Sequence, residues 1–198
     1  MGESPPTLTA VRRARPGRVE LEVDGRRWRV VPDAVVLRCG LATGVALDRS
    51  LLRRLRRELR RAEALEAATR TVARHDVSAR RVRERLAARG VRPAAAESAV
   101  ATLADAGVLD DRRTARSRAH ALAERGWGDA AVAARLAGEG FGPEDVRSAL
   151  AALAPERERA GALAAAADDP RSAWKLLARR GFAPETIEDV VGLLDDER

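Results

Sequence analysis

The sequence predicts a mainly α protein: three tandem three-helix repeats forming an elongated curved solenoid, preceded by a small N-terminal β-ribbon. Three observations predict it. The apolar residues are mostly Ala, Leu and Val, with two Phe, three Trp and no Tyr, a palette that favours helix over sheet. A glycine-and-proline motif recurs around Gly90, Gly140 and Gly181. Strict alternation of apolar and polar residues is confined to one stretch near the N-terminus.

Residues 1–6 end in Pro5-Pro6 and read as a flexible tail. Residues 7–47 read as a ribbon plus a short helix. Val19, Leu21 and Val23 alternate, Asp24-Gly25 follows, and Trp28 and Val30 resume the pattern. Asp-Gly between alternating runs fits a type I′ hairpin turn, which needs positive φ at both central positions. Pro32 and Asp33 open a short helix that ends at Cys39-Gly40. Asp48 then stands where an N-cap is wanted, because its carboxylate can accept the free N–H groups of the first turn.

From there the period becomes helical. Aligned on Gly90, Gly140 and Gly181, the residue four before is Leu86, Leu136 or Leu177, and eight before is Val82, Val132 or Ala173. The next residue is Val91, Phe141 or Phe182, and three after is Pro93, Pro143 or Pro184. Ala96, Val146 and Ile187 follow at plus six, Val100, Leu150 and Val191 at plus ten, and Leu103, Leu153 and Leu194 at plus thirteen. A glycine past a helix end supplies positive φ, and a proline opens the next helix, where its missing N–H is not needed. The spacing leaves room for a leading helix before each pair, over residues 49–74, 111–125 and 155–168. The repeats are therefore expected at 48–109, 110–154 and 155–198, with Trp174 and Phe182 in the core of the last.

Positive charge is almost all arginine: of 37 basic residues only Lys175 is lysine. Residues 1–90 carry 22 Arg against 11 acidic residues, whereas 91–198 carry 15 basic against 19 acidic. The first part is thus +11 and the second −4, an asymmetry that points to an anionic partner for the N-terminal part. Cys39 stands alone and reads as a small buried apolar group; His75 and His120 read as ordinary polar positions, so no zinc set forms. Asp110-Asp111 reads as helix capping rather than as a metal site. No phosphate loop or nucleophile–base spacing is present, no cofactor is implied and no enzyme is expected. No apolar run is long enough for a membrane span or a signal-peptide core, so a cytoplasmic protein is expected. No coiled-coil segment argues for a dimer, and a monomer is expected.

The stretch Gly107-Val108-Leu109-Asp110-Asp111, then Arg113, Gly126-Trp127-Gly128, Val132, Leu136 and Gly140-Phe141 resembles the signature of the RecX family. That pattern runs Gly-Tyr-Leu-Asp-Asp-x-Arg-Phe-Ala, a basic helix, Gly-aromatic-Gly, Ile and Leu four apart, and a closing Gly. Here Val108 and Thr114 replace the two aromatics, and Leu122-Ala123-Glu124-Arg125 replaces the basic run. The resemblance implies a regulator that binds the RecA recombinase and its filament on single-stranded DNA, lies in the filament groove, and represses ATP hydrolysis, strand exchange and co-protease activity; single-stranded DNA is a further expected partner, met directly or through the filament.

The candidate contact residues are Arg53, Arg57, Arg60 and Arg61 on the first long helix, Arg74 beyond it, Arg80 and Arg81 after the cap Ser78, and Arg113 and Trp127 in the signature. On the first of these helices Leu51, Leu52, Leu55 and Leu59 form a stripe and the arginines cover the other faces, with Glu58 as the sole acid up to Arg61. Each residue also has a bland reading: a solvated basic face for the arginines and space-filling between repeats for Trp127. A DNA-binding helix-turn-helix-like module acting through phosphate contacts, and a generic helical adaptor, stand beside the regulator reading. The second repeat helix lacks the Asn or Gln that would read adenine.

Overall fold

The structure, a computed structural model, describes residues 5–74 and 76–196, without the side chains of 193–196. Most of the tail expected over 1–6, the polar position His75 and the side chain of Leu194, expected inward, lie outside what is described. Three strands open the chain: β1 (Leu8–Arg15), β2 (Arg18–Val23) and β3 (Arg26–Pro32), an antiparallel meander in the order β1-β2-β3. Ten helices follow among the described residues: α1 (Asp33–Cys39), α2 (Arg49–Val72), α3 (Ala79–Ala88), α4 (Pro93–Asp105), α5 (Asp111–Glu124), α6 (Asp129–Gly138), α7 (Pro143–Leu150), α8 (Glu156–Ala164), α9 (Pro170–Arg180) and α10 (Pro184–Asp196). Two compact units divide the chain, Met1–Thr71 with Arg85–Asp105, and Val72–Glu84 with Ala106–Arg198.

In the first unit the Asp24-Gly25 turn has φ of +49° and +75°, as the hairpin requires. Where β3 pairs with β2, the sheet departs from the simple alternation. Leu21 pairs with Arg29 but Glu22 pairs with Arg27, so Trp28 is the extra residue of a bulge. One added residue reverses which side chains face inward. Val31 rather than Val30 therefore joins Leu8 and Leu21 in the core, and Trp28 is 39% exposed. That core continues through Val35 and Cys39 of α1 to Leu55 and Leu59 of α2. Burial pushes the Cys39 thiol pKa up, against an opposing hydrogen bond from Arg54. Asp48 caps α2 by accepting from the Leu51 N–H at 2.7 Å.

The second unit holds two cores built alike. One gathers Ala119, Leu122, Val132, Leu136, Phe141 and Val146 from α5–α7. The other gathers Ala164, Ala173, Leu177, Phe182, Ile187 and Val190 from α8–α10. The aligned pairs Leu136/Leu177, Phe141/Phe182 and Val146/Ile187 are all buried; a fully buried leucine contributes about 1.5–3 kcal/mol. Gly90, Gly140 and Gly181 all take positive φ, and Pro93, Pro143 and Pro184 begin α4, α7 and α10. Trp174 is the exception to the expected core, at 49% exposure. Ala173 and Leu177, one turn apart, hold the inward line of α9, and the next residue is carried about 100° round the helix, toward solvent.

The helices of this unit meet at two joints of one design. At the first, the Ala79 N–H at the start of α3 donates to the Asp111 carboxylate at 2.8 Å, and the Ser78 hydroxyl donates to the Glu139 carbonyl. At the second, the Asp129 N–H at the start of α6 donates to the Glu156 carboxylate at 2.6 Å, and the Gly128 N–H donates to the Arg180 carbonyl. In both, the acid that opens a leading helix caps the second helix of the preceding trio, where partial positive charge accumulates. Gly161, inside α8, has nothing within 4 Å of where a Cβ would stand. Gly161→Ala is therefore expected to stabilise the chain by about 0.5–1 kcal/mol, read as a rise in the thermal unfolding midpoint.

Candidate functional site

The candidate residues on α2 separate into two sets. Arg49, Arg53, Arg56 and Arg60 recur at intervals of four, three and four, which places them in one line along the helix. All four are exposed, and among the described residues none forms an ion pair. Arg57 and Arg61 are different. Glu58, whose side chain is only 9% exposed, draws Arg61 to 3.0 Å, Arg38 to 3.6 Å and Arg57 to 4.0 Å. The single acid of this stretch thus holds three guanidiniums, more neutralisation than its solitary place in the sequence suggested. The stripe runs into a cleft of about 240 Å³ lined by Arg60, Glu63, Arg89, Gly90 and Arg92. In the sequence Arg49 and Arg56 read as part of the basic face of this helix without being candidates themselves, and the 4-3-4 spacing is the signal that joins them to Arg53 and Arg60; Arg89 and Arg92 carry no such signal.

The remaining candidates are spread over three places: the residue past α2, the start of α3 and the two ends of α5. Arg74 is exposed just past α2. Arg80 and Arg81 both bind Glu84, each at 2.9 Å, and their hydrogen bonds hold the Glu84 carboxyl below the usual carboxylate range. Arg113 lies in the first turn of α5, where its N–H is capped by Asp110 at 2.9 Å and its guanidinium reaches the Gly107 carbonyl at 3.5 Å. Trp127 lies past the other end of the same helix, about 20 Å away at 1.5 Å per residue. Its half-buried ring packs on the α5–α7 core. Two guanidiniums cover it, Arg135 at 4.0 Å and Arg180 at 5.1 Å from the centroid.

The aspartate pair divides its labour. Asp110 caps α5 and Asp111 caps α3; burial pushes the Asp111 carboxyl pKa up, while the Ala79 N–H opposes the shift. Among the described residues no group of three His, Cys, Asp or Glu side chains is placed to hold a metal ion. None of the described helices is long and apolar enough to cross a membrane.

The regulatory protein RecX of Chromohalobacter salexigens is 37% identical over 129 residues, an alignment spanning 61% of this chain and 85% of that protein. The chain belongs to the RecX family. The regulatory protein RecX of Xanthomonas citri is 35% identical over 125 residues, 58% of this chain and 76% of the relative. No family model matches. A crystal structure of regulatory protein RecX superposes with a TM-score of 0.80 at 18% identity, covering 93% of this chain and 98% of that one. The crystal structure of RecX from Lactobacillus salivarius gives 0.62 at 16% identity, over 69% and 97%. The RecX fold is therefore this chain's fold, mainly helical behind a three-stranded sheet. The RecX relatives are named as regulatory proteins.

Proposed function

We propose that this RecX-family chain regulates the RecA recombinase by binding RecA and its filament on single-stranded DNA, inhibiting ATP hydrolysis, strand exchange and co-protease activity. It acts by docking rather than by catalysis, as a cytoplasmic monomer without a cofactor. Membership of a family of regulatory proteins supports the reading. The observation that carries it is the line of Arg49, Arg53, Arg56 and Arg60, exposed and free of ion pairs among the described residues. Guanidiniums stay charged whatever they meet, and four in a row attract an anionic face and orient the encounter.

The test is a titration of RecA ATPase on single-stranded DNA with the whole chain and with an Arg53→Glu/Arg60→Glu variant. Arg57 and Arg61 are left in place, because reversing them would leave the buried Glu58 among carboxylates and confuse folding with docking. The parent chain should inhibit at well below one regulator per recombinase. The variant should need at least about tenfold more for half-inhibition, because like charges brought together at an interface cost several kcal/mol. No inhibition by the parent chain refutes the reading; equal inhibition by the variant removes α2 from the contact.

A further inference from the structure

We propose that the outward face of α9 binds single-stranded nucleic acid, stacking a base on Trp174 and gripping the neighbouring phosphates with Arg171, Lys175 and Arg179. This goes beyond the regulator reading and does not rest on it. Residues 91–198 carry a net charge of −4, yet α9 contains four cations and no acid. Arg171, Lys175 and Arg179 stand four residues apart, so they share one side of the helix at intervals of about 6 Å. All three are exposed, and among the described residues none forms an ion pair. The fourth cation, Arg180, is occupied by the Arg125 carbonyl and the Trp127 ring.

The aligned helices show that this arrangement is particular to α9. Ten and six residues before the motif glycine stand Arg80 and Glu84 in α3, Ala130 and Ala134 in α6, and Arg171 and Lys175 in α9. In α3 the pair neutralises itself; in α9 the acid is replaced by a second cation.

Between those cations stands an indole that is half exposed, in a cleft of about 640 Å³ whose walls are Pro170, Trp174 and Val191. Asp169, at one end of the cleft, turns its carboxylate to the Ser172 N–H and hydroxyl. The cleft therefore offers a flat apolar wall with positive charge repeated along its rim. Its complement is a flat unsaturated group joined to regularly spaced anions, as in a nucleotide strand, and an exposed aromatic interleaved with cations is how single strands are held without sequence preference. A duplex, whose bases face one another, could use only the cations.

The experiment measures binding of the full chain to fluorescein-labelled octathymidylate and to an abasic octamer of equal charge, by anisotropy over a range of salt. Trp174→Ala should weaken octathymidylate about tenfold and leave the abasic octamer unchanged, while Trp174→Phe keeps most of the affinity. Arg171→Gln with Lys175→Gln should lower the log–log salt slope for both ligands by about 1.4, at about 0.7 per phosphate. Because these side chains are exposed, all variants should melt with the parent chain. The proposal is overturned if Trp174→Ala binds octathymidylate like the parent chain, or if both octamers weaken equally. It is also overturned if the variants lose instead a Glu-rich, Phe-containing peptide, which would make α9 a protein contact.

Discussion

Gly128→Ala is expected to destabilise the chain by about 3 kcal/mol and to lower the unfolding midpoint by roughly 6–12 °C for a chain of this size. A Cβ at Gly128 would stand 2.3 Å from the Gly181 carbonyl oxygen and 2.4 Å from the Phe182 nitrogen. Both are backbone atoms, so no side chain can turn aside. The φ of −75° suits alanine, and the substitution by itself would stabilise by up to about 1 kcal/mol through the unfolded chain. The clash wins because relief means parting α6 from the end of α9, which also breaks the Gly128 N–H bond to the Arg180 carbonyl at 2.9 Å. Calorimetry of the variant beside Gly161→Ala gives the check, since the two should move in opposite directions. A Gly128→Ala chain that melts with the parent would show that this joint opens without resistance.

Arg159→Ala should cost about 3 kcal/mol, from several modest losses at one place. The side chain is 13% exposed. Its guanidinium donates to the Trp127 carbonyl at 2.9 Å and the Ala154 carbonyl at 3.0 Å, pairs with Asp129, and lies 6.0 Å from the centre of the Phe182 ring. Truncation strands two carbonyls and a half-exposed carboxylate together. Arg159→Lys should recover less than half of the loss, because a point charge cannot serve three acceptors held in a planar fork. Urea denaturation of Arg159→Ala, Asp129→Ala and the double variant should show the double to be less destabilised than the sum, since the pair is lost only once. Strict additivity would mean that the ion pair contributes nothing.

Much of this architecture was legible because it obeys local rules. A glycine in a left-handed turn and a proline at a helix start act within a few residues, so Gly140-Phe141-Gly142-Pro143 announces its own geometry. Leu51 to Leu59 declare their inward face through helical period alone. What escaped depends on partners distant in the chain. Nothing local marks the bulge at Trp28, which follows from how β3 registers on β2. Asp111 reads as a cap and is one, for a helix that begins 32 residues earlier. Glu58 looks like a stray acid until Arg38 of α1 is seen beside it. Trp174 reads from the sequence as core, whereas helical phase, with Ala173 and Leu177 already inside, places it outside. Of the site, the basic helix is visible in outline; the division between committed and uncommitted arginines depends on how Glu58 gathers Arg38, Arg57 and Arg61 in space.

The two joints have a consequence for how such a chain can change in length. The middle trio carries both fittings: its opening residue Asp111 plugs the start of α3, and the start of its own second helix, α6, receives Glu156. A duplicated trio inserted between Ala154 and Pro155 would bring both fittings with it, so the array could be extended or shortened by whole modules without inventing a new connection. An insertion that split a trio would separate plug from socket and would have to be repaired elsewhere.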